Sequence, residues 1–135
     1  MSVETKAGFT LVEVMVVAII VAILMAVAVP ILMGSKNRAM VTEAQTGMGV
    51  IRQAMQLHKT EYSVYPTTDQ GKNMSQATRL TVRPGDLDGR FFKSDGYVLT
   101  MVTASNFTIT ARGYTNGSET LSVTLDQSGG WGGVP

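Results

Sequence analysis

The 135-residue chain has no cysteine and one histidine. Disulfides and thiolate metal sites are therefore excluded, and a histidine-based zinc site lacks the donors it needs. Aromatic residues are few, and none falls between Phe9 and Tyr62. That gap leaves no row of stacked rings to conduct electrons along the N-terminal half. Charge of one sign is also missing, with 11 Lys and Arg against 10 Asp and Glu. Nucleic-acid binders carry a basic stripe, so no nucleic-acid partner is expected. The short cluster Lys36-Asn37-Arg38 reads as an interfacial anchor instead.

The longest apolar run is Val14–Met33, twenty residues without a charge. At 1.5 Å per residue such a helix is about 30 Å long, the thickness of a bilayer's hydrocarbon core. One carboxylate, Glu13, sits at its start. A carboxylate near the end of a span is penalised less than one at the centre, but it still calls for a reason. A secretory signal peptide is one reading, since Ala26-Val27-Ala28 resembles a cleavage site. Against it, the run is longer than a usual h-region, and Glu4 offsets Lys6 in the preceding residues. A plain single-span anchor is a second reading, which leaves Glu13 unexplained.

The third reading takes Gly8-Phe9-Thr10-Leu11-Val12-Glu13 together with the apolar run. This segment resembles the processing and assembly motif of type IV pilins and the related pseudopilins of type II secretion. The resemblance implies a leader, residues 1–8, cut by a prepilin peptidase between Gly8 and Phe9, with methylation of the new Phe9 amine. It makes Glu13 the fifth mature residue and puts Pro30 where many members have a helix-kinking proline. The chemistry is coherent. Glu13 lies one helical turn from the Phe9 amine. In a bundle, Glu13 of one subunit can approach the amine of a neighbour, and pairing offsets the penalty of burying either charge alone. Pro30 also removes a backbone donor from the Ala26 carbonyl, so a kink or local melting is expected near 26–30.

After Ser35 the pattern becomes amphipathic. Met40, Ala44, Met48, Ile51, Met55 and Tyr62 fall on one helical face. Gly47 and Gly49 lower helix propensity and either admit a strand closely or are simply tolerated. His58 is expected on the solvent side or as a complement to the helix dipole, not in catalysis. If both segments are helical, 10–62 makes about 80 Å of rod.

Tyr65-Pro66-Thr67-Thr68 ends the helix and resembles the segment after the long helix of major pseudopilins. Residues 73–80 are expected to form a short helix or turn, and 83–90 turn material. Then the period becomes two. Tyr97, Leu99 and Met101 alternate with polar or outward positions, as do Phe107, Ile109 and Ala111, and Leu121, Val123 and Leu125. Residues 104–106 and 115–118 are the turns. Phe91-Phe92 adds a flanking strand or plugs the core, and Trp131 in the glycine-rich tail is expected to dock on the sheet. The expected fold class is α+β. A long N-terminal helix, membrane-spanning then amphipathic, packs on a small antiparallel meander. The expected divisions are leader 1–8, membrane and filament-core helix 9–33, head helix 34–62, and loop and sheet 63–135.

Pilin heads often carry a disulfide-stapled C-terminal loop. That staple is impossible without cysteine, which favours a pseudopilin over an adhesive pilin. Major pseudopilins commonly bind calcium late in the head, and Asp86, Asp88 and Asp95 are the candidate ligands here; solvated turn acids are the plainer reading. No nucleophile–base pair or phosphate loop is visible, so no enzyme is expected. The resemblance implies a homo-oligomeric filament drawn from the inner membrane by a platform protein and ATPase, with minor pilins or pseudopilins as partners. The head would lie outside the cytoplasm, in a periplasmic or cell-surface filament. A type IV pilus subunit for motility, adhesion or DNA uptake is the close rival. A membrane-tethered binding domain is the competing class.

Overall fold

The computed structural model describes residues 8–83, 85–115 and 118–133. The chain divides into two compact units, residues 1–37 and 38–135. One helix, α1 (Leu11–Tyr62), contributes to both.

In the first unit, α1 is exposed along its whole apolar stretch. It is long and apolar enough to cross a membrane, with none of the apolar window buried by protein. A helix is the form that satisfies its own backbone in lipid, so this β-branched run is helical despite its modest propensity. The helix continues through Pro30 and Gly34 without interruption, so the expected local melting is absent from this structure.

In the second unit, Met40, Ala44, Met48, Ile51 and Met55 are buried, as their spacing predicts. The sixth position differs. His58 is buried and Tyr62 is 58% exposed. Both residues extend the same helical stripe, but the helix ends at Tyr62 and the chain turns back at Ser63, which has φ 65°. The His58 Nδ1 lies 3.0 Å from the Val64 carbonyl oxygen. A carbonyl only accepts, so Nδ1 carries the proton. The ring also packs 4.6 Å from that of Tyr62.

The sheet has four strands in the order β1 (Tyr97–Val102), β2 (Phe107–Thr115), β3 (Ser118–Asp126) and β4 (Trp131–Gly132), all antiparallel. The period-two pattern predicts three of these. The fourth is two residues of the glycine-rich tail, too short to show a period. Its backbone pairs with Thr124 and Leu125, while Trp131 stays 43% exposed. The expected 115–118 turn falls partly on Asn116 and Gly117, outside the described residues.

β1 departs from simple alternation. Leu99 pairs with Ile109, but Met101 pairs with Thr108, leaving Thr100 as an extra residue. This bulge turns Met101 outward, 44% exposed, and brings Val102 into the core at 2%. The expected inward placement of Met101 is therefore corrected. The outer edge of β1 is covered by residues 71–74. Gly71 N–H donates to Leu99 O (2.7 Å), Leu99 N–H to Lys72 O (3.0 Å), and Met74 N–H to Tyr97 O (2.9 Å). An edge covered in this way is closed to pairing with another chain.

Phe92 plugs the core at 1% exposure and belongs to no strand. Residues 73–77 make a single turn, with Gln76 and Ala77 both donating to Asn73 O. Gly47 and Gly49 part company. A Cβ on Gly47 would run into the Tyr97 hydroxyl and ring, whereas one on Gly49 meets nothing within 4 Å. Only Gly47 is there for close approach.

Candidate functional site at the N-terminal helix

Gly8 and Phe9 precede α1, and Phe9 is 88% exposed. Residues 1–7 of the expected leader lie outside the described residues. Thr10 and Glu13 bond reciprocally. The Glu13 Oε2 accepts from the Thr10 N–H (2.8 Å) and hydroxyl (2.9 Å), and the Thr10 Oγ1 accepts from the Glu13 N–H (3.2 Å). This is a capping box, which satisfies otherwise orphaned N–H groups at a helix start. It gives Glu13 a partner within its own chain. The signal was present in the sequence, since Thr-x-x-Glu before an apolar run is a helix-start pattern, but the expectation for Glu13 rested on a neighbour's amine alone. The carboxylate and the exposed Phe9 thus stand at the head of an apolar helix that offers hydrocarbon on every side.

The three candidate calcium ligands are placed differently. Asp88 Oδ1 accepts from the Ser94 N–H and hydroxyl, both at 2.8 Å, and these bonds hold its carboxyl below the usual range. Asp86 Oδ2 accepts from the Arg83 N–H (3.1 Å). Asp95 is exposed and shares a hollow with Asp88, Ser75, Gly85, Lys93 and Ser94. Among the described residues, no three carboxylate or imidazole groups gather as a cation would need.

Two carboxylates that the sequence reading passed over organise the head. Glu43 Oε1 accepts from the N–H groups of Phe91 (2.7 Å) and Phe92 (2.8 Å), fastening that loop to α1. Burial, with the charge of Glu43 adding to it, pushes the Tyr97 hydroxyl up to about 12. Asp69 is fully buried. It accepts from Lys72 Nζ (2.9 Å) and the Arg79 N–H (3.1 Å). Burial alone raises its carboxyl, but the Lys72 bond and the Arg79 and Thr78 amides outweigh that, and its pKa is lowered.

Residues 5–29 match the prokaryotic N-terminal methylation motif, and residues 31–123 match the family model for type II secretion system protein G. The chain belongs to the type II secretion system protein G family. Type II secretion system core protein G of Vibrio cholerae is 39% identical over 93 residues, 69% of this chain and 60% of that protein. The same-named protein of Klebsiella michiganensis is 36% identical over 95 residues, 70% of this chain and 64% of that protein. That of Pseudomonas aeruginosa is 35% identical over 94 residues, covering 69% and 63% respectively. The matched region thus spans about three fifths of these family members. No solved structure matches the chain. Membership joins the two parts of the molecule in one family pattern: an N-terminal methylation motif on an apolar helix, then a protein G head.

Proposed function

We propose that this chain is a structural subunit of a type II secretion pseudopilus. The observation that carries the reading is the apolar helix from Leu11, wholly exposed and headed by Phe9, Thr10 and Glu13, in a protein G family chain. Hydrocarbon of that extent is stable only in lipid or against other helices. The same helix therefore serves first as an inner-membrane anchor and then as the core of a fibre, with the head outside the cytoplasm.

In this reading a prepilin peptidase cuts between Gly8 and Phe9 and the Phe9 amine is methylated. Glu13 then exchanges its capping bonds for the cationic amine of an adjacent subunit, which sets the axial register of the bundle. Pro30, with no N–H for the Ala26 carbonyl, is a point where the helix extends as it leaves the membrane. An assembly platform, an ATPase and minor pseudopilins supply force and initiation, and the subunit acts by assembly rather than catalysis. Deleting the gene in its native host tests this. Loss of exoprotein secretion with surface pili intact is the expected result. Normal secretion with lost surface filaments would move the chain to the pilus class.

A further inference from the structure

The head contains an unmatched pair of opposite charges at its two ends. Arg90, Lys93 and Arg112 line one groove of about 320 Å³ with Phe91, Asp95 and Gly96. Three cations face one carboxylate there. Arg90 stacks over the Phe91 ring at 5.4 Å. Among the described residues the one ion pair is Lys72–Asp69, so none of the three cations makes a direct ion pair, and Lys93 acts on Asp88 only at longer range across the neighbouring hollow. The groove lies at the Glu43 level of α1, because Glu43 holds the Phe91 amide and a Cβ on Gly113, next to Arg112, would lie 3.4 Å from Met40.

The carboxylates of the head are almost all engaged. Glu43 takes the Phe91 and Phe92 amides, Asp69 takes Lys72, and Asp86, Asp88 and Asp126 take backbone N–H groups of their own loops. Apart from Asp95 within the groove, the exposed carboxylate with no partner among the described residues is Glu61, in the last turn of α1. It is eighteen residues beyond Glu43, or about 27 Å along the helix axis.

We propose that Glu61 of one copy docks in the Arg90–Lys93–Arg112 groove of a second copy of this chain. This rests on the pseudopilus reading and names a head contact within it. A groove at one end and its complement at the other make a heterologous contact, which propagates as a fibre instead of closing as a dimer. Exposed ion pairs add little stability. Their value lies in register, since a misplaced head sets cation against cation.

The absence of native cysteine makes the test direct. Full-length subunits carrying Glu61→Cys with Lys93→Cys are assembled into fibres, oxidised and run without reductant. The expected result is a ladder of covalent multimers, absent from either single variant and from a Glu61→Cys, Thr103→Cys pair. In parallel, Lys93→Glu with Arg112→Glu should cut fibre yield several-fold, and adding Glu61→Lys should restore it. Fibres without the ladder, an equal ladder in the Thr103 pair, or no restoration overturns the contact and leaves the pseudopilus reading intact. Normal fibres from subunits whose three cations instead control binding to phosphatidylglycerol vesicles overturns it in favour of a lipid headgroup. Failure of the wild-type chain to form fibres overturns both readings.

Discussion

At the scale of residues, the head is held by side chains whose partners lie far away in sequence. Gly47 is where the Tyr97 ring reaches the helix, so Gly47→Ala should lose about 1–3 kcal/mol through overpacking. Gly49→Ala, in open space, should instead gain up to about 1 kcal/mol from helix propensity. Urea titrations of the two variants check both signs. Asp69 makes a pH prediction. Its folded-state pKa lies below the ordinary 3.8, so its contribution is complete above about pH 4 and drains away as pH falls through the folded value. Asp69→Asn should be less stable at neutral pH and show a shallower loss on acidification below pH 4, read from melting temperature against pH. Close approach of a strand at Gly47 was one of the readings its sequence position offered, but the roles of Asp69 and Glu43 were not legible. Glu43 and the Phe91 amide are 48 positions apart, and a carboxylate bound to backbone N–H groups leaves no pattern in side-chain chemistry. The Thr10–Glu13 box is the opposite case, a local pattern open to reading.

Among the elements, periodicity carried most of the fold. The stripe Met40–Ala44–Met48–Ile51–Met55 is where the helix meets the sheet, and β1 and β2 begin at the expected Tyr97 and Phe107, while β3 begins at Ser118, inside the expected turn. Periodicity failed where two choices were chemically equal. Met101 and Val102 are both apolar, so nothing in their order marks the Thr100 bulge that exchanges their sides. His58 and Tyr62 lie three and seven residues beyond Met55, both on the same stripe, and only the reversal at Ser63 decides between them. The bulge gives a paired prediction. Val102→Thr places a hydroxyl in the core and should lose about 1–3 kcal/mol. Met101→Thr, on the surface, should change stability by no more than about 0.5 kcal/mol. Equal losses at both positions, measured by thermal unfolding, would refute the bulge. The residue at the helix turn adds another. Ser63 sits at φ 65°, a conformation natural to glycine, so Ser63→Gly should raise stability by about 0.5–1 kcal/mol in the same assay.

For the whole molecule, the head explains itself as a folded unit, but the apolar half of α1 does not. Its exposed hydrocarbon has a purpose only in lipid or in a bundle, and Glu13 at its start is bonded to Thr10, with no ion pair to its own chain among the described residues. Pairing with a neighbour's amine requires that the amine exist at Phe9, and it exists only after the Gly8–Phe9 bond is cut. Glu13→Gln subunits should therefore insert and be processed as usual yet fail to enter fibres, which membrane fractionation and fibre yield separate. The most direct single measurement is N-terminal mass spectrometry of the subunit taken from assembled fibres. A chain beginning at Phe9 and carrying one methyl group on its amine is the predicted result. A chain that still begins at Met1, or one cut after Ala28, would contradict the account.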